Sequence, residues 1–215
     1  MIVTAVPVKD LVNAKQRLVR VLGPGERTAL ARAMLADVLR ALGDARLGLI
    51  WVVTRDPEAA ALARTLGADV LGENANRGHT AAVAAARAEA LRRGARTFVT
   101  VPGDVPCVTR AELAALAAAS AESPAVFVPS RSGLGTNGAA LTPPSVMDLV
   151  FGEPSFDNHL AAARARGLAP RVLRLTGLGL DVDAPDDLRP LLAEGSATET
   201  GRLVAGWPIA ERLAS

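Results

Sequence analysis

TFVTVPGDVPCVT, residues 97–109, decides how the rest of the chain is read. Residues 98–101 have β character and run straight into Pro102-Gly103-Asp104, and a helix signal follows at Thr109. A short apolar run of this kind is the mark of a strand buried on both faces of a parallel sheet, and here it delivers one carboxylate at its C-terminal tip. In open α/β sheets the loops leaving the carboxyl ends of the strands form the ligand crevice. Asp104 is therefore the first candidate for chemistry, although a turn aspartate satisfying its own backbone after Gly103 explains the residue equally well.

Upstream, residues 2–8 form a first β-branched strand that ends at Lys9-Asp10, and residues 11–22 carry Lys15 and Arg17 within AKQRL. The Gly23-Pro24-Gly25 break starts a helix over 26–42, in which Leu30, Met34, Val38 and Leu42 recur at helical spacing. A strand follows at 49–53, then a helix opened by Asp56-Pro57-Glu58 with an N-cap and an N1 proline, ending near Gly67. A short strand at 69–71, a polar loop over 72–79 and an Ala-rich helix over 80–93 complete this half.

Downstream, Thr109 and Glu112 fit a capping box for a helix over 110–120. Strands are expected at 125–128 and 139–141, joined by the three-glycine loop 132–138. Short and long helices are expected at 145–150 and 155–166, a strand at 171–175, an extended piece at 178–183 and a helix at 185–192. The tail from residue 194 carries Trp207 in a weak amphipathic pattern and reads as a packing element, a dimer element or a partly disordered end. Strands alternating with helices predict one α/β domain over residues 1–215. Its sheet should be mainly parallel, with helices on both faces and an antiparallel insertion at 125–141.

Half of the 215 residues are hydrophobic, enough for a sizeable core. The 24 Lys and Arg residues are scattered among 22 Asp and Glu, so no nucleic-acid or membrane footprint shows, and no apolar run is long enough to cross a bilayer. The single cysteine excludes an internal disulfide and, with no signal-peptide pattern at the start, leads us to expect a reduced, cytoplasmic protein. The sheet edge or the tail is where a homodimer would form.

Three groups of residues could carry chemistry. In Leu180-Asp181-Val182-Asp183 an extended backbone puts Asp181 and Asp183 on one side, within reach of one hard cation such as magnesium; the alternative is that Asp183 only caps the helix begun by Ala184-Pro185. Lys9, Lys15 and Arg17 follow the first strand, where α/β folds place phosphate loops, or else are a solvated helix face. Neither G-x-G-x-x-G nor G-x-x-x-x-G-K-[ST] occurs, which disfavours dinucleotide and P-loop chemistry. In the third group, Gly135, Thr136, Asn137 and Gly138 with Gly152 and Ser155 could approach an anion, or be an ordinary turn and cap. His159 follows Ser155 by one helical turn and Cys107 follows Asp104 by three residues; both are expected near the pocket, with no metal-ligand or nucleophile-pair spacing.

Taken together, VPVKDLVNAKQRL, VPGDVPCV, GTN, FGEPSFDNH and LGLDVDAPDDL, in this order over residues 1–193, resemble the CofC/FbiD guanylyltransferases of coenzyme F420 biosynthesis. The resemblance implies the nucleotidyltransferase variant of the Rossmann-like fold and transfer of GMP from GTP to a small phosphorylated acid: 2-phospho-L-lactate, phosphoenolpyruvate or 3-phospho-D-glycerate. Carried over by position, it implies magnesium on Asp104, Asp181 and Asp183, and the GTP triphosphate facing Lys9, Lys15 and Arg17. Lys15 and Asp104 would stand at the reacting phosphate, and Thr136, Gly152 and Ser155 would hold the acid in a pocket shaped by Cys107 and His159. Where the family usually has a Leu-Asn pair, this chain reads Gly78-His79-Thr80, which puts His79 and Thr80 at the nucleoside.

Overall fold

A computed structural model describes residues 1–72 and 78–213. The central segment forms β4 (Thr97–Thr100), buried along its whole length, its two threonines included, as a run of β-branched and aromatic residues favours. Parallel to it lie β1 (Ile2–Pro7), β2 (Leu49–Thr54) and β3 (Asp69–Gly72), each bonded to the next. On the other side β6 (Thr136–Leu141) runs antiparallel between β4 and β5 (Ala125–Pro129), and the two-residue β7 (Arg171–Val172) closes the edge. Among the described residues the order is β3-β2-β1-β4-β6-β5-β7. The antiparallel element expected at 125–141 is thus an integral part of the sheet, and the sequence of crossovers reverses between β1 and β4. Such a reversal leaves a crevice at the carboxyl ends of the two strands.

Helices α1 (Pro24–Ala45), α2 (Pro57–Thr65) and α4 (Arg110–Glu122) belong to one face of the sheet, and α3 (His79–Arg92) and α5 (Ser155–Ala165) to the other. In α1 the stripe Leu30, Met34, Val38 and Leu42 is buried as its spacing predicts. Asp56 caps α2 by accepting from the Glu58 and Ala59 amides, and Thr109 and Glu112 form the expected capping box.

Two expectations fail. No helix forms at 145–150: Met147 and Leu149 are buried while Asp148 and Val150 are exposed, a two-residue alternation. The Arg87 guanidinium takes the Pro144 and Met147 carbonyls that a helix would have used. The piece expected to be extended at 178–183 begins as a single helical turn, α6 (Thr176–Gly179). Gly177 allows it, because a Cβ there would stand 2.1 Å from the Cys107 carbonyl oxygen. The loop expected over 72–79 falls largely outside the described residues.

The tail is folded. After α7 (Leu188–Glu194), α8 (Glu199–Ala205) and α9 (Ile209–Arg212) close a third apolar cluster in which Val204 and Ile209 join Leu18, Met34, Leu180, Val182 and Leu191. Asp37 in α1 fixes α8 by accepting from the Glu199 and Thr200 amides and the Thr200 hydroxyl at 2.6–2.9 Å. No described helix is long and apolar enough to cross a membrane.

Candidate active site

The loop after β1 is caged by two aspartates, its own Asp10 and Asp56 at the start of α2. Asp10 accepts from the Val12 and Asn13 amides and from the Asn13 side chain, while the second oxygen of Asp56 accepts from the Leu11 amide at 2.9 Å. The loop then turns at Lys15, whose φ of 56° and ψ of 43° lie in the left-handed region, before a 3-10 turn at Gln16–Leu18. A non-glycine residue held there is strained by roughly 1–2 kcal/mol, a conformation that persists only where surrounding contacts over-determine it. Those contacts are two carboxylates: the Lys15 ammonium donates to Asp104 and to Asp183, each at 2.6 Å, and its side chain is 7% exposed. Burial alone would lower the Lys15 pKa; the two aspartates outweigh it and raise the pKa. Lys15 is therefore no solvated face residue.

Asp104 and the D-x-D segment meet through the backbone as well, since the Val182 amide donates to the Asp104 carbonyl at 3.1 Å. Asp183 does not cap the following helix. The Asp187 carboxylate does so from within it, accepting from the Asp183 and Ala184 amides and leaving the Asp183 carboxylate to Lys15. Burial works to raise the Asp183 pKa, but Lys15, and more weakly Arg17, hold it below the ordinary value. Asp181 behaves in the opposite way. Burial, followed by the negative charge of Asp104 and Asp183, lifts its carboxyl above the ordinary value against the pull of a 3.0 Å hydrogen bond from Asn137. Asn137 also donates to the Gly179 carbonyl, so it ties β6 to the D-x-D segment. A cleft of about 660 Å³ opens here, lined among others by Lys9, Lys15, Arg17, His79, Asp104 and Asp183.

Among the described residues no three acidic, histidine or cysteine side chains are already arranged around one ion position. The donor set nonetheless fits magnesium. Asp104 and Asp183 already share one cation, the Lys15 ammonium, and the raised Asp181 carboxyl lies within the field of both. Magnesium takes one or two carboxylates, several waters and phosphate oxygens.

Beside the cleft lies a second, uncharged cluster. Ser155, buried at the start of α5, accepts from the Thr136 amide at 3.0 Å, and His159 one turn later reaches the Thr136 hydroxyl through Nδ1 at 2.9 Å. His159 Nε2 accepts from the Val150 amide at 3.0 Å, and its ring packs against Phe127 and, edge-on, Phe151. Burial pushes the His159 imidazole down to about 4, so it is neutral at ordinary pH. Gly152 has a φ of 118°, which a side chain rarely adopts, and open space where a Cβ would be. Phe151 also meets His79 edge-on, with ring centroids 4.4 Å apart, and its amide donates to the Thr80 hydroxyl at 2.9 Å. His79 thus lines the cleft, while Thr80 is occupied in tying α3 to the 150–155 segment.

Cys107 is not with this cluster. It packs with Leu191 and Val204 under the tail, its sulfur 3.4 Å from where a Cβ on Gly195 would stand, and burial raises its thiol to about 11. Its expected part in shaping the pocket is corrected: the helical turn at Gly177 packs against the Cys107 backbone and the side chain is turned into the tail cluster. Sequence reasoning grouped Asn137 with the glycine loop and read Asp56 only as a helix cap, and it gave Asp187 and Phe151 no role; the holds on Asp181 by Asn137 and on the Leu11 amide by Asp56 appear only in the fold.

A lysine and aspartates thus converge at the switch point of a sheet whose fold is shared with nucleotidyltransferases. Solved structures share the fold: a proposed nucleotide-diphospho-sugar transferase from Desulfovibrio desulfuricans G20 is 18% identical with a TM-score of 0.80, covering 99% of this chain and 96% of that one. A nucleotidyl transferase from Methanothermobacter thermautotrophicus is 17% identical with a TM-score of 0.62, covering 89% and 95%. The chain belongs to the family described as guanylyl transferase CofC like, whose model matches residues 2–205. It is 42% identical to a phosphoenolpyruvate guanylyltransferase of Sphaerobacter thermophilus over 88% of this chain and 91% of that one. It is 34% identical to a 2-phospho-L-lactate guanylyltransferase of Methanothermobacter thermautotrophicus over 90% and 85%.

Proposed function

We propose that the protein transfers GMP from GTP to the phosphate of phosphoenolpyruvate, releasing pyrophosphate, as a cytoplasmic step in coenzyme F420 biosynthesis. The observation that carries the reading is the bridge from Lys15 to Asp104 and Asp183 at the reversal of the sheet, beside a neutral cluster suited to a small anion. The choice of acid follows the relatives at 36–42% identity that are named for phosphoenolpyruvate.

An oxygen of the acceptor phosphate attacks the α-phosphorus in line; a new P–O bond forms, the bond from the α-phosphorus to the α,β-bridging oxygen breaks, and pyrophosphate takes the electron pair. Magnesium, held by Asp104, Asp181 and Asp183, would supply charge neutralisation across the two reacting phosphates. Lys15 brings a fixed positive charge to the carboxylates that define this point. Lys9 and Arg17, exposed on the same side of the cleft, receive the departing pyrophosphate. Thr136, Ser155 and the open backbone at Gly152 orient the acid. Because the nucleophile is already an anion, the work is positioning, and no covalent enzyme intermediate is needed.

The test is pyrophosphate release by purified protein with GTP and magnesium, offering phosphoenolpyruvate, 2-phospho-L-lactate and 3-phospho-D-glycerate separately, with a deazaflavin acceptor and its transferase as a trap for a labile product. Release that requires phosphoenolpyruvate is expected. Silence with all three acids, in protein that still binds GTP, would overturn the acceptor assignment.

A further inference from the structure

His159 lies in the buried cluster with both ring nitrogens engaged. Its Nε2 takes the Val150 amide proton at 3.0 Å and must therefore be the unprotonated nitrogen. The neutral ring consequently carries its proton on Nδ1, 2.9 Å from the Thr136 hydroxyl, and Nδ1 is the donor of that bond. A hydroxyl has two lone pairs and one proton. At Thr136 one lone pair takes the His159 proton and the other faces the Ser155 hydroxyl at 3.4 Å. The Thr136 proton is left without either neighbour as its acceptor.

We propose that His159 is a positioning residue: as the Nδ1–H tautomer it fills the acceptor side of the Thr136 hydroxyl and turns that hydroxyl's proton outward as a donor to the phosphate or carboxylate of the acid. The inference rests on the proposed function, which puts the acid at Thr136, and it adds the polarity of the contact. The packing fixes the ring plane, with Phe127 parallel to the imidazole at 5.3 Å and Phe151 edge-on at 5.2 Å, and within that plane the bonds to the Val150 amide and the Thr136 hydroxyl set which edge carries each nitrogen. Its low pKa accords with a ring that stays neutral while an anion binds.

The tautomer is read in the free protein from the imidazole nitrogen shifts of protein labelled with 15N histidine. A protonated Nδ1 and a bare Nε2 on His159 are expected; a protonated Nε2, or a cation at neutral pH, would overturn the inference. Two replacements then separate the nitrogens, because an asparagine amide can overlay Nδ1 and a glutamine reaches further, toward the Nε2 position. The dissociation constant of phosphoenolpyruvate is measured by calorimetry with magnesium and a non-hydrolysable GTP analogue. His159→Gln is expected to weaken it about five- to tenfold, the worth of one neutral hydrogen bond. His159→Asn is expected to weaken it less, and affinity for the analogue alone should move in neither. Wild-type protein that binds no acid would break the proposed function and the inference with it. Wild-type binding with the two variants equally impaired, or with analogue affinity lost in parallel, would break this inference alone.

Discussion

In the cleft a lysine bridges two aspartates, while in the neighbouring cluster a neutral histidine, a threonine and a serine are joined by hydrogen bonds alone. The charged group is half open, with the Lys15 side chain 7% exposed but that of Asp183 46%. Its parts satisfy one another, so an arriving cation would have to compete with Lys15 for the carboxylates, and a triphosphate with the carboxylates for Lys15. The neutral group is buried throughout and already fixed in direction by two aromatic rings. One side is thus free to exchange partners, and the other is set in place without rearrangement, which is what their proposed parts in nucleotidyl transfer and in orienting the acid require. Asn137 joins them: its own side chain holds Asp181, and its neighbour Thr136 belongs to the neutral cluster.

The comparison breaks most directly at the charged side. Asp104→Ala and Asp183→Ala are each expected to reduce turnover at least about a thousandfold with the fold intact by circular dichroism. An active Asp183→Ala protein would reduce that residue to a partner of Lys15. Lys15→Met sharpens the same point: turnover should fall while magnesium raises the melting temperature more than in the wild type, because the cation no longer competes with an ammonium.

On the neutral side the expected signature is pH dependence of stability. The His159 imidazole is held at about 4 in the folded chain, against about 6.5 when unfolded. A depressed folded pKa means that the unfolded chain binds the extra proton first. The contribution is complete above pH 6.5 and is lost as the pH falls toward 4, by roughly 3 kcal/mol. Urea midpoints at pH 7 and 4.5 should therefore separate more in the wild type than in His159→Gln, whose neutral amide does not titrate; equal separations would place the imidazole in a solvated setting.

At the junction, Asn137→Ala should cost about ten- to a hundredfold in turnover, the range for a residue orienting a metal ligand, with the melting temperature little changed. Unchanged turnover would make Asn137 a strut for Gly179 alone. The smallest effect is expected furthest away: Asp37→Ala should lower stability by about 1–2 kcal/mol through the lost α8 cap, read from urea unfolding. Because the tail cluster also contains Leu18 and Val182, flanked by Arg17 and by Asp181 and Asp183, a parallel fall in turnover would show the tail supporting the cleft.

What was legible follows from range of interaction. β4 and the Asp104 beyond its tip could be read because β-branched and aromatic residues run straight into a Pro-Gly-Asp turn, and the α2 and α4 caps because capping is local. The pairing of Lys15 with Asp104 and Asp183 could not be derived from spacing: 89 and 168 residues separate the partners, and the parallel placement of β1 beside β4, with the Val182 amide bonded to Asp104, brings them together. A helix cap stayed open as the alternative for Asp183 because the sequence does not reveal that Asp187 reaches back to take that role. The segment 145–150, expected to be helical, forms no helix, and the piece expected to be extended at 178–183 begins as a helical turn, for a like reason. Arg87 in one case and the close packing of Gly177 on Cys107 in the other are contacts between distant segments, and they override local pattern.

The central claim is that an oxygen of the acceptor phosphate attacks the α-phosphorus of GTP. Phosphoenolpyruvate carrying 18O in its phosphate, turned over by the wild-type protein with GTP and magnesium, tests it by 31P NMR of the products. The account predicts label in the oxygen bridging the two phosphorus atoms of the new diphosphate and unlabelled pyrophosphate. Label appearing in pyrophosphate or in free inorganic phosphate, with none in the bridge, would contradict it.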